Sequence, residues 1–242
     1  MGLDRKRGFY EKYIKRLLDI ICSLLAIVVF CWLYVIISVI VRIKMGSPVL
    51  FKQPRPGLIK NGKEQIFDMY KFRSMTNERD AQGNLLPDNQ RLPAFGKMLR
   101  ATSLDELPEV FNILKGDMSV IGPRPQLVRD MVFMSDEQRM RHTAKPGLSG
   151  LAQVKGRNAI TWEDKLNWDL KYIEQVSFFG DVKILLETVK KVFVPNAAEA
   201  AETDVTVDYG DALLKAGKIS ASRYDDLQVQ AKKLITEHGR KK

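Results

Sequence analysis

The stretch IICSLLAIVVFCWLYVIISVIV, residues 20–41, contains 22 residues without a formal charge. As one helix it would rise by about 33 Å, which is close to the hydrocarbon thickness of a bilayer. A core helix of a small domain keeps a polar stripe, and this stretch has none. A cleaved signal peptide is disfavoured, because the run is too long and no small-residue cleavage site follows it. The stretch therefore predicts a membrane helix near the N-terminus.

Both flanks of this stretch are basic. Residues 1–16 carry six Lys or Arg against two acids, and Arg42, Lys44, Lys52 and Arg55 follow the stretch. Because cytoplasmic flanks are the basic ones, a straight span would place one flank on the wrong side, whereas a re-entrant helix would keep both on the cytoplasmic side. A re-entrant helix usually contains Pro or Gly at its bend, and this run contains neither. The charges favour a re-entrant helix, and the missing breaker favours a span.

The rest of the composition narrows the class of protein. The chain has 242 residues, 45% of them apolar, so it can form a core and is not globally disordered. Its two cysteines, Cys22 and Cys31, both lie in the apolar stretch, which excludes a disulfide framework. The net charge of +10 indicates an anionic partner, which composition leaves open as nucleic acid, phospholipid head groups or a phosphorylated substrate.

The remaining sequence predicts a mixed α/β fold that is predominantly helical, with a small β element. Residues 47–73 are extended, with a turn at Pro56-Gly57 and a hairpin at Asn61-Gly62. Residues 77–93 form a polar loop, and an amphipathic pattern from Phe95 to Leu114 includes a helix start at Thr102 or Ser103. Further helices are predicted at 126–141, 162–172, 182–194 and 211–236, with loops at 122–125 and 145–158. The predicted segments are 1–46 (membrane helix), 47–195 (catalytic domain) and 196–242 (appendage).

Adjacent carboxylates, Asp105 and Glu106, open the helical pattern in the motif Ser103-Leu104-Asp105-Glu106-Leu107-Pro108. Near the positive end of a helix dipole an Asp stays ionised, which suits a nucleophile or a metal ligand. An isolated pair of this kind is more often only a stabilising first turn, so the neighbourhood has to decide.

Basic and proline-rich loops surround this motif in the sequence. Arg100 precedes it, Arg124 lies between Pro123 and Pro125, and a glycine-rich loop carries Lys145 and Arg157. Guanidinium groups suit phosphates because they donate two hydrogen bonds at once. This combination predicts a diphosphate site. Histidine-based hydrolysis and zinc binding are disfavoured, since the two histidines lie far apart, and no Walker or GxGxxG loop occurs.

At this level of detail the chain resembles the small monotopic phosphoglycosyl transferases of bacteria, also called bacterial sugar transferases. The resemblance covers about residues 10–195 and follows the order of the family's motifs. The matching stretches are KRLLD (15–19), FKQPRPG (51–57), YKFRSM (70–75), LDELP (104–108), KGDMS (115–119), GPRP (122–125), KPGLSG (145–150) and QVKGRN (153–158).

The resemblance implies transfer of a sugar-1-phosphate from a UDP-sugar to polyprenyl phosphate, with UMP as the second product. It implies a monotopic protein on the cytoplasmic face of the bacterial inner membrane, in contact with phospholipid through interfacial amphipathic helices. Asp105 would be the nucleophile and a ligand of Mg²⁺, and Glu106 would assist as a base or by positioning the acceptor. The substrate-binding residues implied by the matching motifs are Lys71, Arg100, Pro123, Arg124, Pro125, Lys145 and Arg157.

The chain also departs from the family pattern. Cys31-Trp32 stands where a Ser-Pro pair usually bends the membrane helix, Lys145 replaces a usual Arg, Leu151 a usual Trp, and Lys155 a common Asn. The missing proline again sets a span against a re-entrant helix.

Two other functions compete with the enzyme. A membrane-anchored, non-enzymatic scaffold that binds anions would explain the anchor and the charge, but not the Asp-Glu motif or the Pro-Arg-Pro loop. Nucleic-acid binding is disfavoured, because no known signature is present. Residues 1–16 carry six bases against two acids and residues 42–100 twelve against five, so the excess charge flanks the apolar stretch.

Overall fold

The computed structural model of the chain describes residues 5–156, 160–193 and 207–240. Packing divides the chain into two compact units: the first comprises residues 1–19, 54–67 and 116–242, and the second residues 20–53 and 68–115. The predicted mixed, mainly helical fold with small sheets is confirmed. The segments predicted from the sequence, 1–46, 47–195 and 196–242, stay predictions.

The helices and strands follow the chain in this order. A π-helical turn (Tyr10–Ile14) leads into α1 (Lys15–Val29), α2 (Cys31–Met45), β1 (Leu50–Lys60), β2 (Lys63–Phe72), α3 (Asp88–Arg91), α4 (Ala94–Ala101), a 3₁₀ turn (Leu104–Glu106), α5 (Glu109–Lys115), β3 (Ser119–Ile121), α6 (Val128–Met131), α7 (Asp136–Arg139), a second 3₁₀ turn (Met140–Thr143), β4 (Gly147–Ser149), α8 (Leu151–Gly156), α9 (Trp162–Glu174), α10 (Phe178–Phe193), α11 (Tyr209–Lys215) and α12 (Ala221–Arg240).

The apolar stretch is bent, although it lacks Pro and Gly. Within the described residues no single helix is both long and apolar enough to cross a bilayer, whereas Tyr10–Val29 and Cys31–Met45 meet that criterion as a pair bent by 64°. Phe30 lies between them with φ −101° and ψ 11°, which is outside the helical range. The bend therefore comes directly before Cys31-Trp32, and a departure of one residue's backbone produces it without proline.

The hairpin β1–β2 confirms the turn that Asn61-Gly62 predicts. Asn61 and Gly62 have φ of 52° and 71°, as a two-residue type I′ turn requires. The predicted turn at Pro56-Gly57 is wrong, because both residues lie inside β1. A Cβ at Gly57 would come within 2.9 Å of the carbonyl oxygen of Gln65 and 3.1 Å of the Phe67 ring, so glycine lets the strands approach there.

The second unit has a core between α2, the end of β2 and α4. Ile37, Val41, Met45, Phe72 and Leu99 form it, with Val41 and Leu99 fully buried. The sequence predicts a helix start at Thr102 or Ser103, and Ser103 is the cap residue of a short 3₁₀ turn rather than of an α-helix, with no capping hydrogen bond from its side chain. The Thr102 hydroxyl donates back to the carbonyl oxygen of Met98 at 2.8 Å, and a short 3₁₀ turn follows before α5 begins after Pro108.

Two short parallel strands, β3 and β4, lie in the first unit and pair Ser119 with Gly147 and Ile121 with Ser149. The loop predicted for 145–158 therefore contains a strand and helix α8. The helix predicted for 126–141 is broken into α6, α7 and a 3₁₀ turn, since a cap at Ser135 starts a new helix there. Helices α9 and α10 confirm the two helices predicted after the glycine-rich loop.

The C-terminal helices pack on the first unit. Leu227 of α12 joins a core cluster with Phe133, Trp162, Leu166 and Tyr209. The Trp162 indole donates to the carbonyl oxygen of Val207 at 2.9 Å. The single helix predicted for 211–236 is divided into α11 and α12 at Gly217, where φ is +65°. The tail is therefore part of this unit's core.

This packing predicts a difference between two positions of α12. Leu227→Ala is expected to lower the free energy of unfolding by about 2–4 kcal/mol, since it removes a buried side chain. Val229→Ala is the control, because Val229 is 65% exposed and its loss should change stability by less than about 0.5 kcal/mol. Thermal unfolding followed by circular dichroism measures both. Equal stability of the two variants would contradict the packing of the tail.

Candidate functional site

A cleft of about 530 Å³ in the second unit contains the Asp-Glu motif. Its walls come from the start of β1, the end of β2, the segment after it, α3, α4 and the 3₁₀ turn. The basic residues in the lining are Lys71, Arg73, Arg91 and Arg100, and the acidic residues are Asp88, Asp105 and Glu106. The volume lies within the range of small-molecule pockets.

Asp105 is a buried carboxylate at the wall of this cleft, with 7% of its surface exposed. Burial raises the pKa of Asp105, and the neighbouring Glu106 raises it further, whereas the Lys71 ammonium and the Arg100 guanidinium lower it. Ser103, two residues earlier, has φ 55° and ψ 17°, a left-handed conformation that costs a non-glycine residue about 1–2 kcal/mol. The turn that presents Asp105 is therefore held in a strained backbone.

Lys71 neutralises the carboxylates next to Asp105. Its Nζ lies 2.7 Å from Oε1 of Glu106 and 3.4 Å from Oε1 of Glu109. Glu109, at the start of α5, is only 2% exposed. Because a buried carboxylate without a counter-charge is costly, the Lys71 ammonium stabilises these two acidic side chains beside the nucleophile candidate.

Arg100 reaches the same cleft from α4. Its Nε donates to the Ser74 hydroxyl at 2.9 Å. Close packing of α4 makes this possible, because a Cβ at Gly96 would lie 2.0 Å from the carbonyl oxygen of Ser74. The structure thus brings together Asp105, Glu106, Lys71 and Arg100 from three separate parts of the sequence.

The other predicted residues lie in the first unit. Buried Arg141 donates from Nη2 to the carbonyl oxygen of Arg124 at 2.6 Å and to Asp169 at 2.6 Å. Arg55 donates to the carbonyl oxygen of Pro125 at 3.1 Å. The backbone of the Pro123–Pro125 loop is therefore fixed by two arginines that the sequence analysis did not single out as site residues. Arg141 is held by Asp169, which lies 28 residues later in the chain, and a single sequence does not reveal such a pairing.

The sequence predicts that the glycine-rich loop contributes to a diphosphate site, whereas in the structure Gly147 of this loop packs against the backbone of the Pro-Arg-Pro loop. The amides of Gly122 and Gly147 donate to the carbonyl oxygens of Ser149 and Pro123, at 2.8 and 3.0 Å. A Cβ at Gly147 would lie 2.1 Å from the nitrogen of Gly122. These glycines therefore allow two backbones to touch, and their amides are used in that contact. Arg157 lies outside the described residues.

Within the described parts of the chain, no group of three or more His, Cys, Asp or Glu residues is arranged to hold a metal ion. A Mg²⁺ ion needs only one or two carboxylates when substrate phosphates complete its shell. His142 contacts Glu64 at 3.3 Å, and burial lowers its pKa to about 4. Glu64 also accepts two hydrogen bonds from Arg139, so His142 belongs to a structural ion-pair cluster.

The bacterial sugar transferase family matches residues 10–195 of the chain. An uncharacterized sugar transferase EpsL from Bacillus subtilis (strain 168) is 50% identical over 184 residues, which is 75% of this chain and 88% of that protein. The chain therefore belongs to the bacterial sugar transferase family, and the family that its motifs predict is confirmed.

Relatives with more specific names are longer. The galactosyl transferase CpsE of Streptococcus agalactiae serotype III (strain NEM316) is 38% identical over 76% of this chain and 43% of its own length. The UDP-glucose:undecaprenyl-phosphate glucose-1-phosphate transferase of Klebsiella pneumoniae is 38% identical over 76% of this chain and 41% of its own length. The chain thus spans about two fifths of these two proteins.

Lys71 provides a test of the electrostatics of the cleft. Since its ammonium lowers the pKa of Asp105, Lys71→Met is expected to raise that pKa further, so that a higher pH is needed to form the carboxylate. The acid limb of the pH–rate profile for sugar transfer should therefore move to higher pH, together with a lower maximal rate. Lys71→Arg keeps the positive charge and is the control. An acid limb unchanged in Lys71→Met would show that this charge does not control the reacting group.

Proposed function

We propose that the chain transfers a sugar-1-phosphate from a UDP-sugar to polyprenyl phosphate, giving a polyprenyl-diphosphate sugar and UMP. The observation that carries this proposal is the buried Asp105 beside a Glu106 that is paired with Lys71, in a cleft with arginines. The names of the Klebsiella pneumoniae relative and of the undecaprenyl-phosphate galactose phosphotransferase of Salmonella typhimurium support both substrate classes.

In the first step Asp105 acts as the nucleophile. One carboxylate oxygen attacks the phosphorus that carries the sugar, the bond from that phosphorus to the bridging oxygen breaks, and UMP leaves with the bridging oxygen and its electron pair. The product is a mixed anhydride between the Asp105 carboxyl and the sugar phosphate. Burial favours this chemistry, because a poorly solvated carboxylate is a stronger nucleophile than a hydrated one.

In the second step the acceptor phosphate releases the enzyme. A phosphate oxygen of polyprenyl phosphate attacks the same phosphorus, the bond to Asp105 breaks, and the carboxylate is restored. Glu106 would take the proton from a protonated acceptor phosphate or hold that phosphate in position. Its position in the cleft lining, paired with Lys71, supports this role.

The donor set also fits Mg²⁺. Asp105 offers a hard oxygen ligand, and burial, followed by the neighbouring Glu106, raises the pKa of its carboxyl. A bound divalent cation would offset the charge of the diphosphate. Arg100 would orient a phosphate in the same cleft, while Asp105 would hold the cation.

We propose further that the bent helix pair is re-entrant and that the protein is monotopic, on the cytoplasmic face of the bacterial inner membrane. The bend of 64° at Phe30 and the basic residues at both ends of the pair support this topology. Apolar side chains on the pair are exposed, for example Val28 and Val35, as lipid contact requires.

Helix α10 fits an interfacial position in the first unit. Phe179 and Leu186 on α10 are 82% and 65% exposed. Asp181, near its start, accepts hydrogen bonds from Tyr10 and Tyr172 at 2.8 and 2.9 Å. This junction fixes α10 against the N-terminal helix, so the exposed apolar residues of both can face lipid at head-group level.

The nucleophile is tested by Asp105→Asn. We expect loss of UMP release from UDP-sugars in the presence of polyprenyl phosphate and Mg²⁺, by at least about 10³-fold, since removal of a nucleophile leaves only binding effects. Mass spectrometry provides a second measurement. Wild-type protein incubated with UDP-sugar alone should carry a sugar-phosphate adduct on Asp105, and the variant should carry none.

The control for Asp105→Asn is Lys97→Ala, which changes an exposed residue of α4 that does not line the cleft. Asn112→Ala is unsuitable as a control, because the Asn112 side chain accepts a hydrogen bond from the backbone of β2. Lys97→Ala should retain the rate. Full turnover in Asp105→Asn would overturn the mechanism. Absence of UMP release from wild-type protein with every UDP-sugar would instead favour a membrane-anchored scaffold that binds anions.

The re-entrant topology predicts the side on which two cysteines react. In a Cys22→Ser/Cys31→Ser background, Lys6→Cys lies before the helix pair in the sequence and Lys44→Cys lies near its C-terminal end, and both positions are exposed. A membrane-impermeant maleimide should label both in inverted membrane vesicles and neither in intact spheroplasts. The cysteine-free background should remain unlabelled. Labelling of the two positions from opposite faces would establish a span.

A further inference from the structure

The first unit contains a second, smaller cavity of about 70 Å³. The π-helical turn, the start of α1, the segment before β4 and the end of α9 line it. It is too small for a nucleotide or a sugar, which occupy pockets of about 300–1,000 Å³, but it has room for one small anionic group. The charged residues in its lining are Arg7, Lys12, Lys15, Arg16 and Lys145, with Glu11 and Asp19 as the acids.

The two acids of this lining are already engaged. Both carboxylate oxygens of Glu11 accept hydrogen bonds from Arg5, at 2.6 and 2.7 Å. Asp19 accepts from the Ser119 hydroxyl and from the backbone amide of Val120, both at 2.9 Å. The lining therefore has five bases and two acids, and the hydrogen-bond donors named for the two acids lie outside it. Lys15 is paired with Asp181, which also lies outside the lining, so the other four bases carry the excess positive charge of the cavity.

Two of the cations are held close together. Gly116 has φ +94°, and a Cβ there would lie 3.3 Å from the guanidinium carbon of Arg16 and 3.5 Å from Nζ of Lys145. Burial, and then the nearby Arg16, lower the pKa of Lys145. Like charges gathered at a small cavity repel each other, and an anion between them would remove that repulsion.

The carrier of the anion follows from the position of these bases in the sequence. Lys12, Lys15 and Arg16 lie on the helix that continues into the apolar stretch. Phe9, Tyr13 and Leu17 on the same turns are 71%, 62% and 58% exposed. A helix with exposed aromatic and aliphatic groups among its bases lies at the head-group level of a bilayer, where phosphates are borne by lipids.

We infer that the cavity between the N-terminal helix and Lys145 binds the phosphate of a lipid. Arg16 and Lys145 contact the phosphate oxygens, and the exposed apolar side chains of the helix keep the lipid chain in the bilayer. Phosphate chemistry of this kind is offered by the polyprenyl phosphate acceptor and by anionic phospholipid head groups. The acceptor alternative rests on the proposed transfer reaction, whereas the head-group alternative does not.

The test measures binding, independently of turnover. Full-length protein in a neutral detergent is titrated with undecaprenyl phosphate, with phosphatidylglycerol and with inorganic phosphate by microscale thermophoresis. Arg16→Gln/Lys145→Gln should bind at least one of the two lipids about tenfold or more weakly than wild type, because it removes two charges from the cavity. Lys60→Gln/Lys63→Gln removes two exposed charges of the same unit that do not line the cavity, and it should bind like wild type.

The pattern of losses identifies the lipid. Weaker binding of undecaprenyl phosphate alone assigns the cavity to the acceptor, and weaker binding of phosphatidylglycerol assigns it to head groups. Lys145→Arg, which keeps the charge, should bind both lipids like wild type, so a loss caused only by misfolding is recognised. Unchanged affinity for both lipids in the double variant, or a loss confined to inorganic phosphate, would overturn the inference.

The outcome is separable from the proposed function. If wild-type protein releases UMP but the double variant binds both lipids normally, only the cavity assignment fails. If wild-type protein binds lipid through this cavity but shows no transfer with any UDP-sugar, the transfer reaction fails and the site remains.

Discussion

Three carboxylates, Asp105, Glu106 and Glu109, lie within five residues of one another, and the ammonium of Lys71 pairs with two of them, Glu106 and Glu109. Desolvation of an unpaired carboxylate costs several kcal/mol, so the turn could not be buried without this ion pair. Lys71 comes from the end of β2, so the packing of the acidic turn depends on this strand. The position of the Asp105 carboxylate therefore depends on a residue that lies more than thirty positions earlier in the chain.

In the first unit, close contacts between backbones are the main constraint on the positions of the two loops. Gly122 and Gly147 pack with no room for a Cβ, and their amides are used in the contact between the two loops. Buried Arg141, paired with Asp169, then fixes the carbonyl oxygen of Arg124. The glycine-rich motif and the Pro-Arg-Pro motif are thus parts of one rigid arrangement, which explains why both contain residues with little conformational freedom or no side chain.

Short sequence motifs predicted the parts of the structure that depend on neighbouring residues, whereas the parts that depend on contacts between distant residues were not predicted. Asn61-Gly62 predicts the hairpin because its left-handed backbone is a property of two residues. The sequence singles out the Asp-Glu motif and Arg100, and the structure places both in the lining of one cleft. The pairing of Lys71 with Glu106 joins residues 35 apart and has no local signature. The bend at Phe30 contains no breaker residue, and the docking of α12 depends on a cluster assembled from distant segments.

The two cavities differ in how they can meet an anion. Four bases and three acids line the cleft of Asp105, so the cleft is close to neutral, and a diphosphate entering it needs additional positive charge. This shortage is the physical reason to propose a divalent cation there. The lining of the smaller cavity has five bases and two acids, and the bases outnumber the acids even when Lys15 is set aside because of its pairing with Asp181. A single phosphate on a lipid suits the second arrangement, since it brings less charge than a diphosphate and the bilayer already holds it near the basic helix. The charge of each lining therefore accounts for the cation proposed in the cleft and for the lipid phosphate proposed in the smaller cavity.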